Sequence, residues 1–114
     1  MSGLAKKIVL SGAITGHKDE AVIYFHEACE KVLERFPLAE VFNPAMIDKL
    51  LSYDTAMVIC RSRIKNWATT IVYIKNEYYS GSNGVRAEQA LAEESGLEEY
   101  ALEHNVLVRL GGES

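Results

Sequence analysis

The residues with the clearest chemical potential lie in the run Ser82-Asn83-Gly84-Val85-Arg86-Ala87-Glu88. Glycine permits close backbone approach, and a helix beginning here presents amide groups with no intrahelical acceptor. Together they favour an anion such as a phosphate. Ser82 adds a neutral hydroxyl donor, and Glu88 falls about one helical turn further on, where a carboxylate can reach the same mouth. A carboxylate beside an anion-binding turn can serve as a nucleophile or as an electrostatic stabiliser of positive charge. The same pattern also describes an ordinary capped helix with a solvated glutamate.

Two further segments join this one. Ser11-Gly12-Ala13-Ile14-Thr15-Gly16 is a loop of small residues. It fits a phosphate cradle or a tight strand-to-helix connection, but it has neither the lysine of a P-loop nor a dinucleotide fingerprint. Phe42-Asn43-Pro44 fits a turn that brings Asn43 to the edge of a site. Tyr78 and Tyr79 can stack on a nucleobase or pack the loop, and Tyr73 reads as core. Of the histidines, only His17 borders a candidate loop; His26 reads as a surface or boundary residue and His104 as lying near a helix end. No histidine or cysteine pair has metal-ligand spacing, so no metal is expected. Cys29 and Cys60 sit inside apolar helical patterns and read as buried structural thiols.

The elements that must position these residues follow from periodicity. Lys7-Ile8-Val9-Leu10 reads as a buried strand. A helix from Asp19 to about Arg35 carries Val22, Phe25, Cys29, Val32 and Phe36 on one stripe, and Pro37 stops it. Residues 40–42 form a short strand. Residues 45–65 read as helix in two pieces, the first with Met46, Leu50 and Leu51, the second with Ala56, Val58, Ile59 and Ile64. Residues 69–74, Thr-Thr-Ile-Val-Tyr-Ile, form the clearest strand. A helix over about 85–95, a helical piece over 97–104 and a strand over 106–110 complete the chain. Alternating strands and helices predict an α/β fold with a mostly parallel sheet and helices on both faces. In such sheets ligands bind beyond the carboxyl ends of the strands. The loops at 11–16, 42–45 and 76–83 all lie there.

The 114 residues suit one domain, with an ordered core of about residues 6–110. With 48% hydrophobic and 25% charged residues the chain is globular rather than disordered. A net charge of −4 with scattered basic residues argues against a nucleic-acid polymer as partner. Arg61, Arg63 and Lys65 read as a solvated helix face. No stretch is long and apolar enough to span a membrane, and no signal peptide is evident, so the cytoplasm is the expected location.

Taken in order, the motifs Ser-Gly-x-Ile-Thr-Gly, Val-Phe-Asn-Pro-Ala and Ser-x-Gly-Val-Arg-x-Glu-x-Ala-Leu-Ala resemble the nucleoside 2-deoxyribosyltransferase superfamily, over about residues 6–110. The nearest likeness is to its small bacterial and viral members. The resemblance implies a flavodoxin-like, doubly wound, five-stranded sheet. It implies cleavage of the N-glycosidic bond of a 2'-deoxynucleoside or its 5'-monophosphate by hydrolysis or deoxyribosyl transfer, without a cofactor. By the same resemblance Glu88 is the nucleophile. Ser82 and Gly84 bind the 5' end, and the 11–16 loop, through Ser11, Gly12 and Gly16, lines the sugar pocket, with Asn43 and Tyr79 as further substrate contacts. Serine rather than aspartate at position 82 favours a 5'-monophosphate, because a hydroxyl donates to phosphate where a carboxylate repels it. The alternative is a nucleotide-binding or sequestering protein with impaired catalysis in the same pocket. A homo-oligomer, dimer or larger, is also implied. The family's usual aspartate near the start of the third strand is replaced in Ala68-Thr69, and its glutamate before the serine is missing, with Glu77 nearby. These departures put the acid–base half of the reaction in question.

Overall fold

The computed structural model describes residues 5–14, 18–46, 52–77, 79 and 83–110. Its elements run β1 (Lys7–Ser11), α1 (Lys18–Arg35), β2 (Glu40–Phe42), a 3-10 turn (Pro44–Met46), α2 (Tyr53–Asn66), β3 (Thr70–Ile74), α3 (Asn83–Ser95), β4 (Glu98–Glu103) and β5 (Val106–Leu110). The five strands form one sheet in the order β2-β1-β3-β4-β5. The first four are mutually parallel and β5 runs antiparallel to β4. This is the flavodoxin-like, doubly wound α/β order, and its switch point falls between β1 and β3.

The sheet is apolar on both faces, as a covered parallel sheet must be. On one face Ile8, Leu10, Val72, Ile74, Tyr100 and Leu102 pack against Ala21, Phe25, Ala28 and Val32 of α1. On the other, Val9, Ile71 and Tyr73 pack against Ile64 of α2 and Val85 and Ala92 of α3. All five residues of β3 are buried, which makes it the central strand. Helices therefore lie on both faces.

Several expectations shift. The buried stripe of α1 runs through Ala21, Phe25, Ala28 and Val32, whereas Val22 is 38% exposed. The small alanines let the helix sit close to the sheet. The first expected helical piece after β2 begins as the 3-10 turn; Leu50 and Leu51 lie outside the described residues. Ser52 then caps α2, its hydroxyl accepting from the Thr55 amide at 3.1 Å.

The largest correction concerns residues 97–104. They are not helical: Glu98–Glu103 is strand β4, hydrogen-bonded to β3 on one side and β5 on the other. Glu, Ala and Leu favour helix locally, but two flanking strands satisfy this backbone more completely than an isolated turn of helix would. His104 accordingly lies not near a helix end but in the β4–β5 turn, where His104 and Asn105 both have positive φ, 53° and 64°. Two central left-handed residues make the tight hairpin turn that matches the twist of antiparallel strands.

Among the described residues, no helix is long and apolar enough to cross a membrane.

Candidate functional site

β1 ends in Ser11, which is fully buried and pairs in register with Tyr73 of β3. Its side chain shares a face with Val9, the face covered by α2 and α3. Glu88 descends from α3 onto that face. The Ser11 hydroxyl donates to Glu88 Oε1 at 2.6 Å, joining residues 77 positions apart. Glu88 is only 6% exposed, among the few buried polar or charged side chains. A buried carboxylate needs such donors, since desolvation without them is costly.

Cys60 of α2, itself buried, acts on the Glu88 carboxyl from the helix side and favours its charged form. Burial raises the Glu88 carboxyl from 4.5 to about 7, against the opposing pull of the Ser11 and Cys60 hydrogen bonds and the Arg61 charge. The Cys60 thiol is pushed up to about 12, first by burial and then by the adjacent Glu88 charge and hydrogen bond. The thiol therefore stays protonated, while the carboxyl changes charge near neutrality. Such a group can attack an electrophilic carbon when ionised and donate a proton when neutral.

The surroundings face the carboxyl edge of the sheet. Gly12 follows Ser11, and a Cβ there would lie 3.1 Å from Phe25 Cζ and 3.3 Å from Ile74 Cβ. The glycine thus lets the first loop leave β1 against the α1 core, whatever else it contacts. At the end of β2, which pairs with β1 through Val9 and Phe42, a groove of about 300 Å³ is lined by Val41, Phe42, Asn43 and Met46. Asn43 Oδ1 accepts from the Ala45 amide at 3.0 Å, so that oxygen is engaged in the local turn. The Arg63 guanidinium lies 5.1 Å from the ring centres of both Phe42 and Trp67, a more specific placement than a solvated face.

Gly84 is the second residue of α3, in the turn whose amides have no intrahelical acceptor. Tyr79 is half-buried against the second core cluster, with the Lys75 ammonium 5.6 Å from its ring centre. Burial and the Glu99 charge raise its phenol. Neighbouring Tyr73 donates to Glu99 Oε2 at 2.9 Å. Gly16, His17, Tyr78 and Ser82 lie outside the described residues. The structure thus brings Ser11 and Glu88 into contact, sets Gly12 and Gly84 on the adjoining backbone, and gives Tyr79 and Asn43 packing and turn contacts. His26 is exposed and pairs with Glu30 along α1.

The replaced aspartate position needs a different reading from the one its sequence suggests. Thr69 precedes β3 and its hydroxyl accepts from the Lys7 amide at 3.0 Å. That is the amino edge of the sheet, and Ser11 is at the opposite end of β1. At about 3.3 Å per strand residue, the two ends stand roughly 13 Å apart. A carboxylate at position 69 would be remote from Glu88.

Cys60 is the neighbour of Glu88 that the sequence did not single out. A cysteine on the apolar stripe of a helix looks like any small core residue, and nothing local marks the glutamate it meets. Both cysteines are free; Cys29 is only half-buried. Among the described residues, no group of three or more histidine, cysteine or acidic side chains gathers to hold a metal.

Fold and site together define a doubly wound α/β domain with a buried carboxylate beside its switch point. Over residues 6–100 the chain matches the family described as a domain of unknown function, DUF4406, and it belongs to that family. No curated protein matches it.

Proposed function

We propose that this protein cleaves the N-glycosidic bond of a 2'-deoxynucleoside 5'-monophosphate, with Glu88 as nucleophile. The observation that carries the reading is the 2.6 Å Ser11–Glu88 contact, which joins two segments of the resemblance to the deoxyribosyltransferases. Without a 2'-hydroxyl, C1' readily gains oxocarbenium character as the base departs, and a carboxylate beneath it stabilises that charge. The C1'–N bond breaks, a C1'–O bond to Glu88 forms, and the base leaves with a proton taken up from solvent. Water or a second base then attacks C1', the ester C–O bond breaks and the carboxylate returns.

The anion-binding part of the proposal draws on the first turn of α3, where the lack of a side chain at Gly84 and the positive end of the helix suit a 5'-phosphate. The groove at Val41, Phe42, Asn43 and Met46 suits the base or sugar. Rapid acid quenching followed by peptide mass spectrometry tests the covalent step. The expected result is a deoxyribose 5-phosphate adduct on the peptide containing Glu88. Turnover with no adduct, undiminished in Glu88→Ala, would remove Glu88 from the mechanism.

A second reading, a site that retains the nucleotide without turnover, is favoured by the same burial. With its pKa near 7, much of Glu88 is protonated at neutral pH, and a protonated carboxyl hydrogen-bonds a sugar rather than attacking it. Tight binding by calorimetry with no released base would decide for it. Either reading carries a homo-oligomer, supported by Val106 and Val108 on edge strand β5, 57% and 50% exposed. Sedimentation at working concentration tests this, and a monomer alone would count against it.

A further inference from the structure

None of the five residues of β5 is buried, whereas its one neighbour, β4, buries Tyr100, Ala101 and Leu102. Each core receives a single leucine from β5, Leu107 on the α1 face and Leu110 on the other. The backbone is joined on one side only. The Glu98 amide donates to the Thr69 carbonyl at 3.1 Å, and the Lys75 amide to the Leu102 carbonyl at 2.9 Å. The backbone groups of alternate residues point to opposite neighbours, so Glu98, Tyr100 and Leu102 face β3 while Glu99, Ala101 and Glu103 face β5. By register, Val106, Val108 and Leu110 turn their amides to β4, and the amides of Leu107 and Arg109 line the open edge. One end of β5 is continuous with β4 through the His104-Asn105 turn. At the other end Arg109 Nη2 lies 3.6 Å from Glu98 Oε2. Glu98 is already fixed when Arg109 meets it, because its Oε1 accepts from Lys6 Nζ at 2.6 Å and from the buried Thr70 hydroxyl at 3.3 Å.

We infer that β5 is an edge strap that opens as a unit ahead of the rest of the sheet, and that the Arg109–Glu98 pair is the latch on the end away from its turn. A segment with few buried apolar contacts and one hydrogen-bonded neighbour opens at less cost than the core it lies on. An exposed ion pair adds little to the stability of a whole domain, chiefly because two long side chains must be ordered to form it. Here Lys6 and Thr70 hold one partner in place, so only Arg109 remains to be ordered. The two Glu98 oxygens divide the work: one ties the carboxylate to the body of the sheet, and the other faces the strap. The Lys6 hydrogen bond leads the influences that hold the Glu98 carboxyl below its ordinary range, so the latch is charged at neutral pH. Both partners reach solvent, which makes the latch sensitive to salt. Opening presents the β4 backbone at Glu99, Ala101 and Glu103 as a new sheet edge. The device does not depend on the reaction proposed for Glu88.

Native-state hydrogen exchange, read amide by amide by NMR at one fixed protein concentration, tests both parts. In the wild type the Val106 and Val108 amides are expected to be protected about tenfold less, or weaker still, than those of Ile71, Val72 and Tyr73 in β3. Arg109→Gln should lower the protection of Val106 and Val108 by a further factor of about two to five, the range of an exposed ion pair, and leave β3 unchanged. Arg109→Lys, which keeps the charge, should restore most of the loss. Sodium chloride at about 0.5 M should loosen β5 in the wild type and add little in Arg109→Gln. The β3 amides also report that each variant is folded. Equal protection of β5 and β3 in the wild type would show that the strand opens only with the whole fold, and would overturn the strap. Unchanged β5 protection in Arg109→Gln, or an equal loss in β5 and β3, would overturn the latch.

Discussion

The Ser11 hydroxyl donates to Glu88 Oε1 at 2.6 Å, at the end of β1 and beneath α3. One residue closes the first strand of the sheet and the other hangs from the last helix. Strand order β2-β1-β3-β4-β5 makes their meeting possible, because β1 and β3 diverge to opposite connections and leave a crevice at their carboxyl ends. Burial makes Glu88 harder to ionise, and the Ser11 hydrogen bond leads the influences that oppose it.

Ser11→Ala is therefore expected to lower base release at pH 7 by roughly tenfold, the worth of a hydrogen bond to a charged group. The loss should shrink as pH rises, because the variant raises the Glu88 pKa above its present value of about 7. A pH–rate profile checks this. A drop of equal size at every pH would mean that Ser11 contacts the substrate rather than tuning Glu88.

Glu88 also burdens the fold. Its pKa is raised from 4.5 to about 7, so between those values the folded chain holds a proton that the unfolded chain has lost. Stability at this site is therefore full below about pH 4.5, falls as pH rises towards 7 and levels off above it. Glu88→Gln is expected to match the wild type near pH 4 and to exceed it at pH 8 by on the order of 3 kcal/mol. Urea melts at the two pH values check the difference, and a pH-independent difference would contradict the burial argument.

The sequence made much of this legible. β1 and β3 are β-branched runs with no competing helical pattern, and α1 and α3 carry apolar residues at helical spacing. Small residues and a helix start mark the segments of Ser11 and Glu88, but the roles of the two residues follow only from the family resemblance. Strand β4 was not legible, since Glu-Glu-Tyr-Ala-Leu-Glu has helical composition and becomes a strand only through pairing with β3 and β5. Cys60 and the remoteness of Thr69 depend on which chain ends the topology brings together, and no local pattern encodes that. The position of the replaced aspartate, at the other edge of the sheet from Glu88, is likewise a matter of topology.

Gly12 tests packing at the loop that leaves β1. A methyl group there meets Phe25 and Ile74 within 3.1–3.3 Å. Gly12→Ala is expected to cost about 1–3 kcal/mol, because the close-packed α1 core must shift to admit it. Chemical denaturation checks this, and an unchanged midpoint would show that the loop has room to relax.

The β4–β5 turn gives a separate prediction. His104 has φ of 53°, a conformation that costs most L-residues about 1 kcal/mol. His104→Gly should raise stability by up to about that amount, and His104→Val should lower it. Thermal melts check both, and a destabilising glycine would contradict the turn geometry.

The measurement that bears most directly on the central claim is release of free base, followed by chromatography, from a panel of 2'-deoxynucleosides and their 5'-monophosphates, with Glu88→Ala in parallel. The account predicts release from at least one monophosphate, faster than from the matching free nucleoside, and its loss in the variant. Release that persists undiminished in Glu88→Ala, or no release from any member by the folded wild-type protein, would contradict it.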